Sequence, residues 1–287
     1  MEESVIISNG NLTAIFNVIG AELVSLRDAM GKEIIWQNEQ GLWAGHAPIL
    51  FPICGGLKED KYEFDKKEYT LQKHGFVRRE PFKVEKVELE SAVFSYTFNQ
   101  ETLKKYPFKF KFIVKYTLKD NDLVVDYTVE NLDDKDMYYS VGGHEAYALE
   151  GEFTDYSVKF EHKEDLNAYN IEGNLLSHEY TNVGKNTDNI DLDYKYFTID
   201  ALSFIDLKSR KATLYNNKTG KELVEVNYNG FNTLFIWTKP GAKYVCLETW
   251  AGMPDRVGSN YKLEEKDGIV KLEKGKTKTL THTITVK

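Results

Sequence analysis

The sequence predicts an all-β fold: a large antiparallel β-sandwich with very little helix, formed by residues 1–287 as one domain. Three observations carry this. Apolar and polar residues alternate with period two, turn-forming clusters separate the alternating stretches, and almost no segment keeps a helical period. In PFKFKFIVKYTL, Phe108, Phe110, Phe112, Val114, Tyr116 and Leu118 share one face, with Lys109, Lys111 and Lys115 on the other. After the turn KDND, LVVDYTVEN repeats the pattern through Leu123, Val125, Tyr127 and Val129. The two read as an antiparallel hairpin with one buried and one wetted face.

The other elements follow from the same signals. Strands are predicted over Leu12–Val18, Tyr62–Leu71, Val93–Phe98, Ala212–Tyr215, Leu223–Val226, Thr233–Trp237 and Tyr244–Leu247. Turn chemistry separates them: SNGN near Asn9, DAMGK near Asp28, FDKKEY near Asp65 and NNKTGK near Asn217. NQETLKKY (Asn99–Tyr106) suits a short helix. NVGKNTDNIDLDYKYF (Asn182–Phe197) reads as a loop, either a boundary or an insertion over a binding face. Without a Gly/Ser-rich linker or an internal repeat, one large sandwich is the simplest architecture.

Composition narrows the function. The chain is 41% hydrophobic and carries a net charge of −8, with lysines interspersed among acids, which argues against nucleic-acid binding. No apolar run approaches the ~20 residues that span a bilayer. The acidic start MEES lacks the basic region of a secretory signal. Cys54 and Cys246 lie far apart in apolar segments, which points to a reducing, cytoplasmic setting without a disulfide framework. The 18 Tyr, 16 Phe and 4 Trp suit strands, and also pockets that stack on the apolar faces of sugar rings.

Three residues stand out chemically. KYVCLETWAGMPDRVG (Lys243–Gly258) begins as a strand and presents Glu248, then Trp250, where the strand should finish. Glu248 is either a solvated strand end or a carboxylate held at a pocket rim to move a proton. Of six histidines, His162, His178 and His282 sit among charged or Thr-rich residues and read as surface or strand-face positions, and His46 precedes an apolar run. His74, in LQKHGFVRREPF, and His144, in SVGGHEAYAL, each adjoin Gly at a strand end with an aromatic soon after. Gly there permits unusual backbone angles and close ligand approach, although a plain turn has the same look. No HxH, HExxH or CxxC spacing occurs, so a metal site would need ligands gathered from distant segments, and none is predicted. Nor is there a GxSxG, GxGxxG or GxxxxGK[ST] motif for a serine nucleophile or nucleotide chemistry.

Four segments together resemble a known family. HAPILFPICGGLKEDKYEFDKKEYTLQKHGFVR, VGGHEAYAL, YFTIDALSFIDLKSRKATL and KYVCLETWAGMPD occur in the order seen in bacterial aldose 1-epimerases. From about Ile6 to the C-terminus the chain resembles their shorter, broad-specificity branch within the galactose mutarotase superfamily, most specifically in KHGFVR and CLETWAGMPD. The resemblance implies that superfamily's large β-sandwich and an isomerase of carbohydrate metabolism. Its reaction would be cofactor-independent interconversion of the α and β anomers of a free hexose. It implies Glu248 as general base, His144 as general acid at the ring oxygen, and His74 as a second histidine steadying that oxygen. Arg78, Asp200 and Trp250 would bind substrate. A His titrating near ~6.5 and a Glu raised from ~4.3 by partial burial suit such proton transfers at neutral pH. The implied partner is a small-molecule sugar, not nucleic acid or membrane, with the chain a monomer or homodimer.

The chain departs from the family pattern at Gly56, usually an Arg that binds sugar hydroxyls, and at Glu145, commonly Pro. A polar gap at Gly56 predicts that Gly56→Arg lowers the Michaelis constant. Glu145, if it points inward, would favour protonated His144. Two alternatives accompany this reading. One is a hexose-6-phosphate 1-epimerase using Arg78, Arg79 and Arg256 for the phosphate, and the other is a sugar-binding relative without turnover.

Overall fold

A computed structural model describes residues 4–287. Antiparallel strands dominate, and among the described residues Gln100–Lys105 is the one α-helix. Asn99 caps it: its side chain accepts from the N–H groups of Glu101 and Thr102, and the Thr102 hydroxyl accepts from the Asn99 N–H.

One path of hydrogen-bonded neighbours begins at Ile49–Leu50, Val141–Gly143, Tyr244–Ala251, Thr233–Trp237, Leu202–Ile205 and Tyr156–Glu172. It continues through Lys211–Asn216, Lys221–Asn227 and Thr277–Val286 to the hairpin Asp122–Asn131 and Phe110–Lys119, then Ser91–Thr97 and Lys83–Val87. Burial alternates residue by residue along Asp122–Asn131, so the apolar set of this hairpin faces inward. The early and late parts of the path face each other, because Phe51, just past Ile49–Leu50, stacks on Phe112 of Phe110–Lys119 at 4.6 Å. The sheet thereby closes on itself as a sandwich, with Tyr116, Leu123, Tyr127, Val245 and Leu247 in one core. A three-stranded sheet (Ser4–Ser8, Leu12–Asn17, Leu23–Asp28) packs on through Phe16, stacked on Tyr116 at 4.1 Å.

Four expectations need correction. Tyr62–Leu71 is a hairpin, Lys61–Phe64 and Lys67–Thr70, turned by Asp65 and Lys66 at φ 50° and 60°. Most of Asn182–Phe197 belongs to the strand Leu175–Asp191, paired with Tyr156–Glu172. Register shifts break its alternation and much of it is wet, so its sequence looks like a loop. Strand Tyr244–Ala251 runs past Leu247 with all its residues buried. Being covered on both faces it has no alternation to mark its end, and Glu248 lies inside it. His282 is buried in the core at 1% exposure, while the threonines around it take the wetter positions of Thr277–Val286.

No helix among the described residues is long and apolar enough to cross a membrane. Both cysteines are buried and free.

Candidate active site

Strand register builds the centre of the site. Gly142 pairs with Trp250 and Ala146 with Cys246, which leaves His144 opposite Glu248. The glycines before His144 let the chains approach this closely. A Cβ on Gly142 would lie 2.4 Å from Trp250 Cδ1, and one on Gly143 would lie 2.1 Å from Glu145 Oε1. His144 Nε2 is 3.3 Å from Glu248 Oε1, with the two residues 9% and 2% exposed.

His74 is clamped to Gly55. Its N–H donates to the Gly55 carbonyl at 2.9 Å, and the Gly55 N–H donates to His74 Nδ1 at 3.1 Å. Accepting at Nδ1 places the proton of the neutral ring on Nε2. The backbone bears strain for this, since His74 sits at φ 69°, a region few non-glycine residues occupy. Its ring stands edge-on to those of His144 and Trp250, at 5.7 Å and 5.5 Å.

His74, His144, Glu248, Arg78, Asp200 and Trp250 all line one cavity of about 490 Å³, within the range of small-molecule sites. Arg78 donates from Nη2 to the Lys73 carbonyl at 3.1 Å, while its Nε is buried without a partner. Asp200 Oδ2 lies 3.7 Å from Lys73 Nζ. Trp250 donates from Nε1 to the Gly143 carbonyl and stacks on Phe235 at 4.0 Å.

Three further lining residues escape the sequence reading. Trp43 stacks on the His144 ring at 5.1 Å, and Trp237 stands edge-on to it at 5.5 Å. The exposed Asn174 comes from the turn between strands Tyr156–Glu172 and Leu175–Asp191. A Trp set close before His46 in GLWAGH was the only available signal, and nothing local marks Asn174.

Asn174 also corrects the expectation for Gly56. A Cβ there would lie 2.6 Å from Asn174 Cβ and 2.8 Å from its carbonyl oxygen, so no polar gap awaits an Arg. The hairpin end is fixed in place. Leu176 N–H donates to the Asp255 carbonyl, and Asp255 N–H donates to the Gly56 carbonyl. The Asp255 side chain forms a buried ion pair with Lys266 at 2.9 Å.

Glu145 points away from the cavity. Its Oε1 lies 3.0 Å from His282 Nε2 in the core. Of the three arginines offered for a phosphate, only Arg78 lines the cavity. Arg79 is exposed and donates to Gln72, and Arg256 pairs with Asp267 and lies over Tyr169.

Burial dominates the electrostatics. It pushes the Glu248 carboxyl well above its ordinary range, with Lys73 opposing and the Asp200 and Glu145 charges adding to it. Burial, helped by Lys73 and Arg78, brings His144 down to about 3. His74 falls well below 6.5 through burial, then through His144, Lys73 and Arg78. Glu248 is therefore almost fully desolvated, more deeply than a strand-mouth position implies. Cys246 lies next to the pair: ligand atoms of His144, Cys246 and Glu248 fall within 4.8 Å of one another.

The comparisons with known proteins agree with one another. Residues 3–285 match the family described as aldose 1-epimerase. Protein LacX of Lactococcus lactis subsp. lactis, in its chromosomal form, is 35% identical over 294 residues, covering 98% of each chain. A galactose mutarotase related enzyme from Lactobacillus acidophilus superposes with a TM-score of 0.93 at 32% identity, covering 99% of this chain and 97% of that one. A galactose mutarotase-like protein from Lactobacillus casei gives 0.94 at 29% identity, covering 99% and 100%.

Proposed function

The chain belongs to the aldose 1-epimerase family, and on that premise we propose that it interconverts the α and β anomers of a free hexose by acid–base ring opening. The observation that carries this reading is the His144–Glu248 pair, 3.3 Å apart in a cavity also lined by His74.

Ring opening needs a proton taken from the anomeric hydroxyl and another given to the ring oxygen. Burial favours the uncharged pair, protonated Glu248 beside neutral His144. Passing that single proton to His144 creates the working form. Glu248 then takes the hydroxyl proton while His144 protonates the ring oxygen; the C1–O5 bond breaks and the C1 carbonyl forms. Rotation about C1–C2 and the reverse transfers close the ring as the other anomer. The pair is net neutral at both stages, so a buried site never holds an uncompensated charge. His74 donates from Nε2 to the ring oxygen, and Trp43 and Trp250 offer apolar surface to the sugar.

A neutral hexose fits better than a phosphorylated one. Besides Arg78 the lining cations are Lys73, paired with Asp200, and Lys239, which donates to the Leu42 carbonyl. Two buried free thiols suit a reducing cytoplasm. Polarimetry on freshly dissolved α-glucose, α-galactose and glucose 6-phosphate tests the reading. Acceleration of a free sugar above the buffer rate supports it, acceleration of glucose 6-phosphate alone favours the phosphate enzyme, and no acceleration leaves a binding protein.

A further inference from the structure

We propose that His144, Cys246 and Glu248 form a binding site for a thiophilic divalent cation of the zinc and cadmium class, and that the bound ion switches the acid–base pair off. The inhibition rests on the mutarotase reading; the binding does not.

Cys246 and Glu248 are two residues apart on one strand, so their side chains leave the same face. The register that sets His144 opposite Glu248 brings its ring over that face. One atom from each residue lies within 4.8 Å of the other two, and His144 Nε2 is 3.3 Å from Glu248 Oε1. A point among them needs only small side-chain adjustments to reach the ~2.0–2.3 Å bonds that zinc makes to nitrogen, oxygen and sulfur. A thiolate in the set selects zinc or cadmium over magnesium and calcium, which take oxygen ligands. Three protein ligands leave a fourth tetrahedral position, and His144 and Glu248 open that side to the cavity.

Sugar ring opening has no use for Cys246, which packs among Trp36, Ala146 and Tyr244 with Trp43 and Trp237 against them. Binding forms metal bonds to the Cys246 sulfur, a His144 nitrogen and a Glu248 oxygen, and sends the thiol proton and the single proton of the His144–Glu248 pair to solvent, with no change of oxidation state. The same ion occupies a His144 ring nitrogen and a Glu248 oxygen, leaving neither proton donor nor acceptor for a sugar.

The test is a cadmium titration of the purified full-length protein, followed by the ultraviolet thiolate-to-cadmium charge-transfer band, beside mutarotation assays with zinc and then EDTA. We expect one equivalent of band, and zinc inhibition that EDTA reverses. Cys246→Ser or Cys246→Ala should abolish the band, weaken zinc inhibition by more than about 100-fold and leave basal turnover intact. That loss exceeds the roughly 10–100-fold that supporting groups around a metal contribute. Cys54→Ser should change nothing. Glu248→Gln should weaken cadmium binding while keeping the band. No band in the wild type, a band that survives loss of Cys246, or one that disappears with Cys54 overturns the site. A band in a protein that turns over no sugar keeps the site and rejects the mutarotase reading instead.

Discussion

His144 Nε2 and Glu248 Oε1 face each other across 3.3 Å, although Glu248 lies within strand Tyr244–Ala251 and His144 in the break between strands Val141–Gly143 and Ala146–Ala148, far away in the sequence. The pairs Gly142–Trp250 and Ala146–Cys246 on either side fix that relationship. Two groups this close titrate as one unit, so activity should need one proton on the pair and fall at both pH extremes.

Burial of Glu248 should cost stability. An unfolded Glu carboxyl titrates near ~4.3, and the folded value is raised well above that. Below ~4.3 both states hold the proton. As pH rises towards the folded value, the folded state keeps a proton that the unfolded state has released, and the native state loses stability. Glu248→Gln should therefore melt higher than wild type at pH 7, with the gap growing from about pH 4 upward. A gap of the opposite sign, or one that ignores pH, would count against a buried Glu248.

His144 acts with the opposite sign. Its folded value of about 3 lies below the unfolded ~6.5, so its contribution is whole above ~6.5 and is lost as pH falls towards 3. Trp43→Ala should admit water over the ring, raise the imidazole titration measured by NMR, and cut turnover by roughly tenfold, less than losing a proton-transfer group. An unmoved titration would mean that Trp43 does not shield His144.

Asn174 should act through binding. Asn174→Ala should raise KM about 2–10-fold with kcat unchanged, the worth of one neutral hydrogen bond. Gly56→Arg should displace the Asn174 backbone, cost roughly 1–3 kcal/mol and fail to lower KM. Tighter sugar binding by that variant would restore the idea of a vacant arginine position.

The Glu145–His282 pair is structural. Glu145→Ala leaves a buried His282 without its partner, and urea unfolding should show a loss on the order of 1–3 kcal/mol. Turnover of the folded fraction should stay within several-fold. A selective loss of turnover would give Glu145 a direct part in the chemistry.

The sequence reveals these features unevenly, for physical reasons. The hairpin from Phe110 to Asn131 is legible because one face is wet and the other dry. Strand Tyr244–Ala251 is dry on both faces, so neither its end nor the depth of Glu248 can be read from alternation. His74 and His144 are marked by adjacent glycines that the close approach of chains requires. Trp43 and Asn174 reach the site through packing between distant segments, marked at most by the nearness of Trp43 to His46, whereas Cys246 shares a strand face with Glu248 two residues on. His282 looks exposed because its Thr neighbours are, and only the sheet's far side shows its partner.

The most direct test of the account is the exchange rate between α and β hexose anomers, measured by NMR with purified Glu248→Gln beside wild type. The account predicts a fall in turnover of roughly 10²–10⁴ in a protein that is folded and still binds sugar. His144→Asn should fall comparably, His74→Asn by less, and the losses should not add. Exchange by Glu248→Gln at the wild-type rate would contradict it.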